Sequence, residues 1–207
     1  MTNPSEHPPV VGVLLAAGSG SRLGRGPKAL LHKPNGQSLL DSALAALLGG
    51  GCTHVVVVLG AEAERVAAEL EDNGRTTVLV NEHWATGMGS SFALGMDAVP
   101  AGAGALMALV DQPGMGDELV RRILAEHRPG RITAAGYGPD NGPLRRGHPV
   151  LFAPEHIPPA LAAATGDAGA RGYLAAHREL VDLVECSDLD TGLDVDTVAD
   201  LHLLGWH

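Results

Sequence analysis

Val11-Gly-Val-Leu-Leu-Ala-Ala-Gly-Ser-Gly-Ser-Arg-Leu-Gly-Arg-Gly-Pro-Lys28 decides how the rest of the chain is read. Residues 10–15 form an apolar run without alternation, the pattern of a strand buried on both faces of a parallel sheet. The run then breaks into Gly18, Gly20, Gly24 and Gly26, interleaved with Ser19, Ser21, Arg22, Arg25 and Lys28. Glycines let backbone N–H groups approach a ligand closely, and successive N–H groups beside fixed cations make a cradle for phosphate. Lys28 and Lys33 are the only lysines, and both lie in this loop or at its exit. A P-loop would need Gly-Lys-Ser/Thr, which is absent, and a dinucleotide fingerprint would need glycine where Leu23 stands. The alternative is a flexible glycine loop with solvated charges.

Outward from this loop, strand and helix patterns alternate. Ser38 can cap a helix whose Leu40, Ala43, Leu44 and Leu47 share a face and which Gly49-Gly-Gly51 stops. Strands are expected at residues 54–59, 77–80, 105–110, 132–135, 147–152 and 181–185. Helices are expected at 63–70, 91–98, 117–127, 170–177 and from Thr197 through 199–204. A polar loop is expected at 136–146. Such alternation predicts an α/β, Rossmann-like three-layer sandwich with a mostly parallel sheet.

With 207 residues, one domain over 10–207 behind a disordered tail at 1–9 is expected. Apolar residues reach 45% but aromatics only 3%, so the core must rest on Ala, Leu and Val. The formal charge of −10 disfavours nonspecific nucleic-acid binding and anionic membrane surfaces. A polyphosphate ligand therefore needs a local cationic loop or a metal. Cys52 and Cys186 have no metal or redox spacing and read as small apolar residues. Without a signal-like start or a membrane-length segment, the expected location is cytoplasmic.

Further stretches carry chemistry. Asn81-Glu-His-Trp-Ala-Thr-Gly-Met-Gly-Ser-Ser91 would sit at a strand's carboxyl end, where it could hold a base or sugar or simply cover the sheet edge. Ala105-Leu-Met-Ala-Leu-Val-Asp-Gln-Pro113 ends a buried strand in Asp111. A carboxylate facing a phosphate loop makes sense with a cation between them, and Mg²⁺ prefers carboxylate plus phosphate oxygens. The alternative is an aspartate capping a turn. His148, beside Pro149, cannot be read alone, since a lone histidine is more often structural than a ligand or base. Asp167 is a candidate helix cap. In the tail, Asp188, Asp190, Asp194 and Asp196 would point to one side of an extended chain. One of them could complete a Mg²⁺ site with Asp111, the others capping and solvating.

Together these stretches resemble the MobA-like nucleotidyltransferase family, most closely its molybdenum cofactor cytidylyltransferase branch. The matching motifs are Leu15-Ala-Ala-Gly-Ser-Gly-Ser-Arg22 with Lys28; Asn81, Trp84 and Gly87-Met-Gly-Ser-Ser91; Leu109-Val-Asp-Gln-Pro113; Gly147-His-Pro-Val-Leu-Phe152; Gly166-Asp-Ala-Gly-Ala-Arg171; and Asp194-Val-Asp-Thr197. The resemblance implies transfer of a nucleotidyl group, CMP from CTP, to a phosphorylated acceptor such as molybdopterin, with pyrophosphate released and Mg²⁺ as cofactor. It implies catalytic roles for Arg22, Lys28 and Asp111, and a metal site of Asp111 and Asp196. Nucleotide contacts would come from Leu15, Ala16, Ala17, Gly18, Ser19, Gly20, Lys28, Asn81, Gly87, Ser90 and Ser91. Acceptor contacts would come from Gln112, Pro113, Gly147, His148, Pro149, Gly166, Asp167 and Arg171. An apo-molybdoenzyme is a possible partner. Val198 departs from the family's usual proline, and Asp188-Leu-Asp-Thr191 offers a second register for the tail aspartate. A sugar phosphate or other small phosphate remains an alternative acceptor, and a non-catalytic nucleotide-binding chaperone an alternative class.

Overall fold

The apolar runs assemble into one seven-stranded sheet in this computed structural model, which describes residues 8–139 and 142–205, the Asp167 side chain excepted. The strands are β1 Val10–Ala16, β2 His54–Leu59, β3 Thr76–Val80, β4 Gly104–Leu109, β5 Ile132–Tyr137, β6 Arg145–Phe152 and β7 Val181–Glu185. Their spatial order is β3-β2-β1-β4-β6-β5-β7. All neighbours run parallel except β6, which is antiparallel to both β4 and β5. β1, β2 and β4 are buried almost throughout, which accounts for their continuous hydrophobicity.

Alternate residues of these strands feed two cores. Leu14, Val57 and Leu106 face helices α1 (Leu39–Gly50), α2 (Ala63–Ala67) and α4 (Asp117–Ala125). Val13, Val58 and Met107 face α3 (Met88–Asp97), α5 (Ile157–Ala162) and α6 (Arg171–Ala176), with Phe92 and Phe152 at the centre. This is the α/β three-layer sandwich. Both cysteines are free and buried, and burial pushes the Cys52 thiol up to about 12.

Several boundaries move for local reasons. The helix expected at 63–70 closes after Ala67, and that expected at 91–98 starts early at Met88, behind Gly87. The polar loop expected at 136–146 shrinks because β5 continues to Tyr137 and β6 begins at Arg145. The terminal helix is a 3-10 helix, Val198–Leu204, with Thr197 and Asp200 in a reciprocal capping box. The expected tail falls mostly on residues 1–7, outside the described residues. Pro9, just ahead of β1, is tied to the sheet, since its carbonyl accepts from the Gly104 amide at 2.9 Å. Among the described residues no helix is long and apolar enough to cross a membrane.

Candidate functional site

The chain leaves β1 toward β2 on one side, while β4 lies on the other, so a crevice opens beyond the carboxyl ends of β1 and β4. The glycine loop enters this crevice directly from Ala16. Gly20 adopts φ +63°, and its carbonyl accepts from the amides of Leu23 and Gly24, both at 3.0 Å. A Cβ at Gly20 would stand 2.1 Å from the Gly26 carbonyl oxygen, so only glycine lets the loop fold back on itself. The backbone amides of Gly18, Ser19, Ser21 and Arg22 have no intramolecular acceptor among the described residues. They are available to an anion.

Asp111 follows β4 from the other side. Lys28 Nζ donates to Asp111 Oδ2 at 2.8 Å and to Asp196 Oδ1 at 2.5 Å, and Arg22 Nη1 reaches Asp196 Oδ2 at 3.2 Å. The Val195 amide donates to the Asp111 carbonyl at 2.9 Å, stitching the tail to the end of β4. Burial alone would lower the Lys28 pKa, but the Asp111 and Asp196 carboxylates outweigh it and raise it. The Lys28 hydrogen bond chiefly, with the Lys28 and Arg22 charges, pulls Asp196 below its usual range. Asp194, the third carboxylate here, is pushed up by burial and by the charge of Asp111. It accepts from Gln112 Nε2 at 2.8 Å, while Gln112 Oε1 is buried with no partner among the described residues.

The resulting cleft has a volume of about 540 Å³. Of the residues singled out from sequence it is lined by Leu15, Ala17, Gly18, Ser19, Gly20, Arg22, Lys28, Gly87, Ser91, Asp111, Asp196 and Arg171. Others stand behind it or apart. Ala16 is buried in the core on the α1 side. Asn81 spends its amide on Ser90 and Ser91, at 2.8 and 2.9 Å, and with Ser90 lines a separate shallow depression. The Pro113 carbonyl accepts from Lys33 Nζ at 2.7 Å. Gly147 packs on the Tyr137 ring, where a Cβ would lie 2.5 Å from Cε2. His148 and Pro149, joined by a cis peptide, sit in β6 and do not line the cleft. Gly166 packs its carbonyl on Gly89 of α3. The capping role expected of Asp167 rests on a side chain outside the described part.

The tail does not stay extended, so its four aspartates part company. Asp188 pairs with Arg122 of α4 at 2.6 Å, and Asp190 lies against Gly114. A turn through Gly192, at φ +63°, separates them from Asp194 and Asp196, the two that reach the cleft. Trp84, Ala85 and Met88 supply an apolar wall of the cleft. The sequence left the loop that carries them open between holding a base or sugar and covering the sheet edge, and did not single out Ala85.

Hard oxygen donors of Asp111, Asp194 and Asp196 suit Mg²⁺ or Mn²⁺. Among the described residues no three His, Cys, Asp or Glu side chains group as a closed metal cage. That fits an ion held by one or two carboxylates, with phosphate and water completing its shell.

The cradle of open amides faces a lysine–carboxylate centre at the switch point of this sheet, which has the nucleotide-diphospho-sugar transferase fold of nucleotidyltransferases. Comparison with known proteins agrees. The chain belongs to the MobA-like NTP transferase domain family, which matches residues 12–181. It is 48% identical to nicotine blue oxidoreductase of Paenarthrobacter nicotinovorans, across 97% of this chain and 98% of that protein. It is 32% identical over 62% of its length to the bifunctional protein GlmU of Syntrophotalea carbinolica, spanning 27% of that protein. The Rv0371c structure from Mycobacterium tuberculosis H37Rv superposes with a TM-score of 0.78 at 29% identity, covering 96% of this chain and 99% of that one. Rv0371c has also been solved in complex with manganese, at a TM-score of 0.74 and 27% identity over 97% of this chain and 100% of that one.

Proposed function

We propose that the protein is a divalent-metal-dependent nucleotidyltransferase that moves a cytidylyl group from CTP to a phosphorylated acceptor of the molybdopterin type, with Mg²⁺ as the metal. The observation that carries this is the bridging of Asp111 and Asp196 by Lys28 opposite the open amides of the glycine loop. A phosphate oxygen of the acceptor attacks the α-phosphorus, a new P–O bond forms, the bond to the β-phosphate oxygen breaks, and pyrophosphate leaves. Such a reaction needs positioning and charge neutralisation rather than a protein nucleophile. Amides of residues 18–22 receive the triphosphate, and Lys28 and Arg22 neutralise charge that builds on the departing pyrophosphate. Asp111 and Asp196 would hold the metal, which supplies further charge neutralisation when bound. The apolar wall of Trp84 and Met88 offers a face for a base.

The reading is tested by pyrophosphate release from CTP, GTP, UTP and ATP against a panel of acceptors. Release greatest with CTP and molybdopterin supports it. Release with hexose phosphates instead would move the acceptor toward sugar phosphates, the reading the GlmU match favours. Asp111→Asn should abolish turnover while leaving the melting temperature nearly unchanged.

The 48% identical relative favours a second reading. In it, the glycine loop binds the pyrophosphate of a reduced dinucleotide, and the apolar wall receives a planar substrate such as nicotine blue. Hydride transfer from the dinucleotide would then reduce that substrate. Bleaching of nicotine blue by a reduced nicotinamide dinucleotide, without pyrophosphate release from any nucleotide, would establish this reading over the first.

A further inference from the structure

The two edges of the sheet are finished differently. β7 carries Asp182 and Glu185; Asp182 accepts from Arg128 and Arg131, and Arg122 Nη1 donates to the Glu185 carbonyl at 3.0 Å. Charges of this kind keep an edge strand from pairing with another chain. β3, Thr76-Thr-Val-Leu-Val80, has no charged residue, proline or glycine, and in the sheet it neighbours β2 alone. The Val55 amide donates to the Arg75 carbonyl and the Asn81 amide to the Leu59 carbonyl, so the odd-numbered residues bond inward. Thr76, Val78 and Val80 therefore turn their N–H and C=O groups outward. Their side chains stand on the face that carries Val57, where Val78 is 39% and Val80 54% exposed.

Opposite charges flank this edge. Arg75 precedes the strand and Glu82 follows it, both exposed and neither in an ion pair among the described residues. The odd-numbered side chains of β3 face α3, as Leu79 does beside Val58. On that face lies a depression of about 600 Å³ bounded by Asn81, Glu82 and, on α3, the exposed Asp97. A two-fold axis perpendicular to the sheet at Val78 gives antiparallel pairing and keeps each face on its own side. It sets Val78 opposite the partner's Val78, Thr76 opposite the partner's Val80 and Asn81 opposite the partner's Arg75. The outward N–H and C=O groups then meet in hydrogen-bonded pairs, and the exposed valines cover one another. Each Arg75 arrives on the α3 face of the other copy, beside its unpaired Glu82. Parallel pairing in register would instead set like charges side by side.

We propose that the protein is a two-fold dimer joined along β3, with Arg75 of each copy seated in the depression of Asn81, Glu82 and Asp97 on the other. The seam stands apart from the proposed transfer reaction. It does bear on the cleft, because β3 runs directly into the loop that holds Trp84 and so fixes the root of the apolar wall.

The test is sedimentation velocity of the full chain across the micromolar range, with melting curves to confirm folding. The wild type is expected to sediment as two chains at the upper end and to dissociate on dilution. Val78→Lys, at an exposed position, should stay folded and monomeric throughout. Arg75→Glu and Glu82→Arg should each weaken the dimer at least about tenfold, because both symmetry-related contacts turn repulsive, and the two together should restore it. Opposed hydrogen-bonded residues stand about 5.5 Å apart at Cα, within reach of a disulfide, so Val78→Cys should cross-link to itself on oxidation. Thr76→Cys should not, since its own copy across the axis lies about 14 Å away; both native cysteines are buried. A chain that stays monomeric at every concentration overturns the proposal and leaves the edge to a different protein. A dimer that Val78→Lys leaves intact, or a Thr76→Cys chain that cross-links as readily as Val78→Cys, overturns the seam.

Discussion

Replacing Lys28 with methionine tests the centre of the site. The substitution keeps the aliphatic stem and removes an ammonium held 2.8 Å from Asp111 and 2.5 Å from Asp196. Asp111, Asp194 and Asp196 then face one another without the cation between them. Removing one partner of a fully buried pair costs about 3–5 kcal/mol. Here Asp111 is 20% and Asp196 40% exposed at the side chain, so water screens part of that and about 2 kcal/mol is expected. For a domain of this size each kcal/mol moves the melting temperature by about 2–4 °C, which predicts a fall of about 4–8 °C. The same change removes the competitor for a divalent ion. Mn²⁺ or Mg²⁺ should therefore raise the melting temperature of Lys28→Met more than that of the wild type, by mass action. Nucleotidyl transfer should fall at least about tenfold, as loss of a preorganised charge does. Differential scanning fluorimetry across a metal titration, with pyrophosphate release alongside, reads all three effects. A variant that melts as the wild type does, ignores metal and turns over at full rate would refute the reasoning.

Other predictions follow from particular contacts. Gly60→Ala would place a Cβ 2.5 Å from Trp84 Cβ and 2.8 Å from Ala17 Cβ, so it should cost about 1–3 kcal/mol and weaken CTP binding as the cleft wall shifts; melting curves and calorimetry read both. Ser38→Ala removes the Oγ that accepts from the Asp41 amide at the start of α1 and should cost about 1 kcal/mol in denaturant titration, with nucleotide binding unchanged. Asp182 accepts from Arg131 and Arg128, and the Arg131 hydrogen bond chiefly holds its pKa at about 2. Because that folded value lies below the unfolded one, its stabilisation is present above about pH 4 and is lost as pH falls toward 2. Asp182→Asn should flatten the acid limb of the stability profile over that window.

The continuous apolar runs of β1, β2 and β4 made most of the sheet legible, because a doubly covered parallel strand has no polar face to confuse the reading. β6 was only half legible. Its antiparallel start carries Arg145 and Arg146, and paired arginines after a Gly/Pro-rich stretch look like loop. The glycine loop and Asp111 were visible as separate motifs, but their joining through Lys28 was not, since those side chains meet across 83 and 168 residues of sequence. Likewise Asp194 could not be told from Asp188 and Asp190. Only the turn at Gly192 decides which aspartates reach the cleft.

The stitch between the Val195 amide and the Asp111 carbonyl bears on how the protein is made. Lys28 is synthesised 83 residues before Asp111 and 168 residues before Asp196, so it meets its second carboxylate only after β1, β2 and β4 have all been made. A chain cut before residue 194 would keep the pairing of Lys28 with Asp111 and lose Asp194, Asp196 and the stitch that joins the tail to the end of β4.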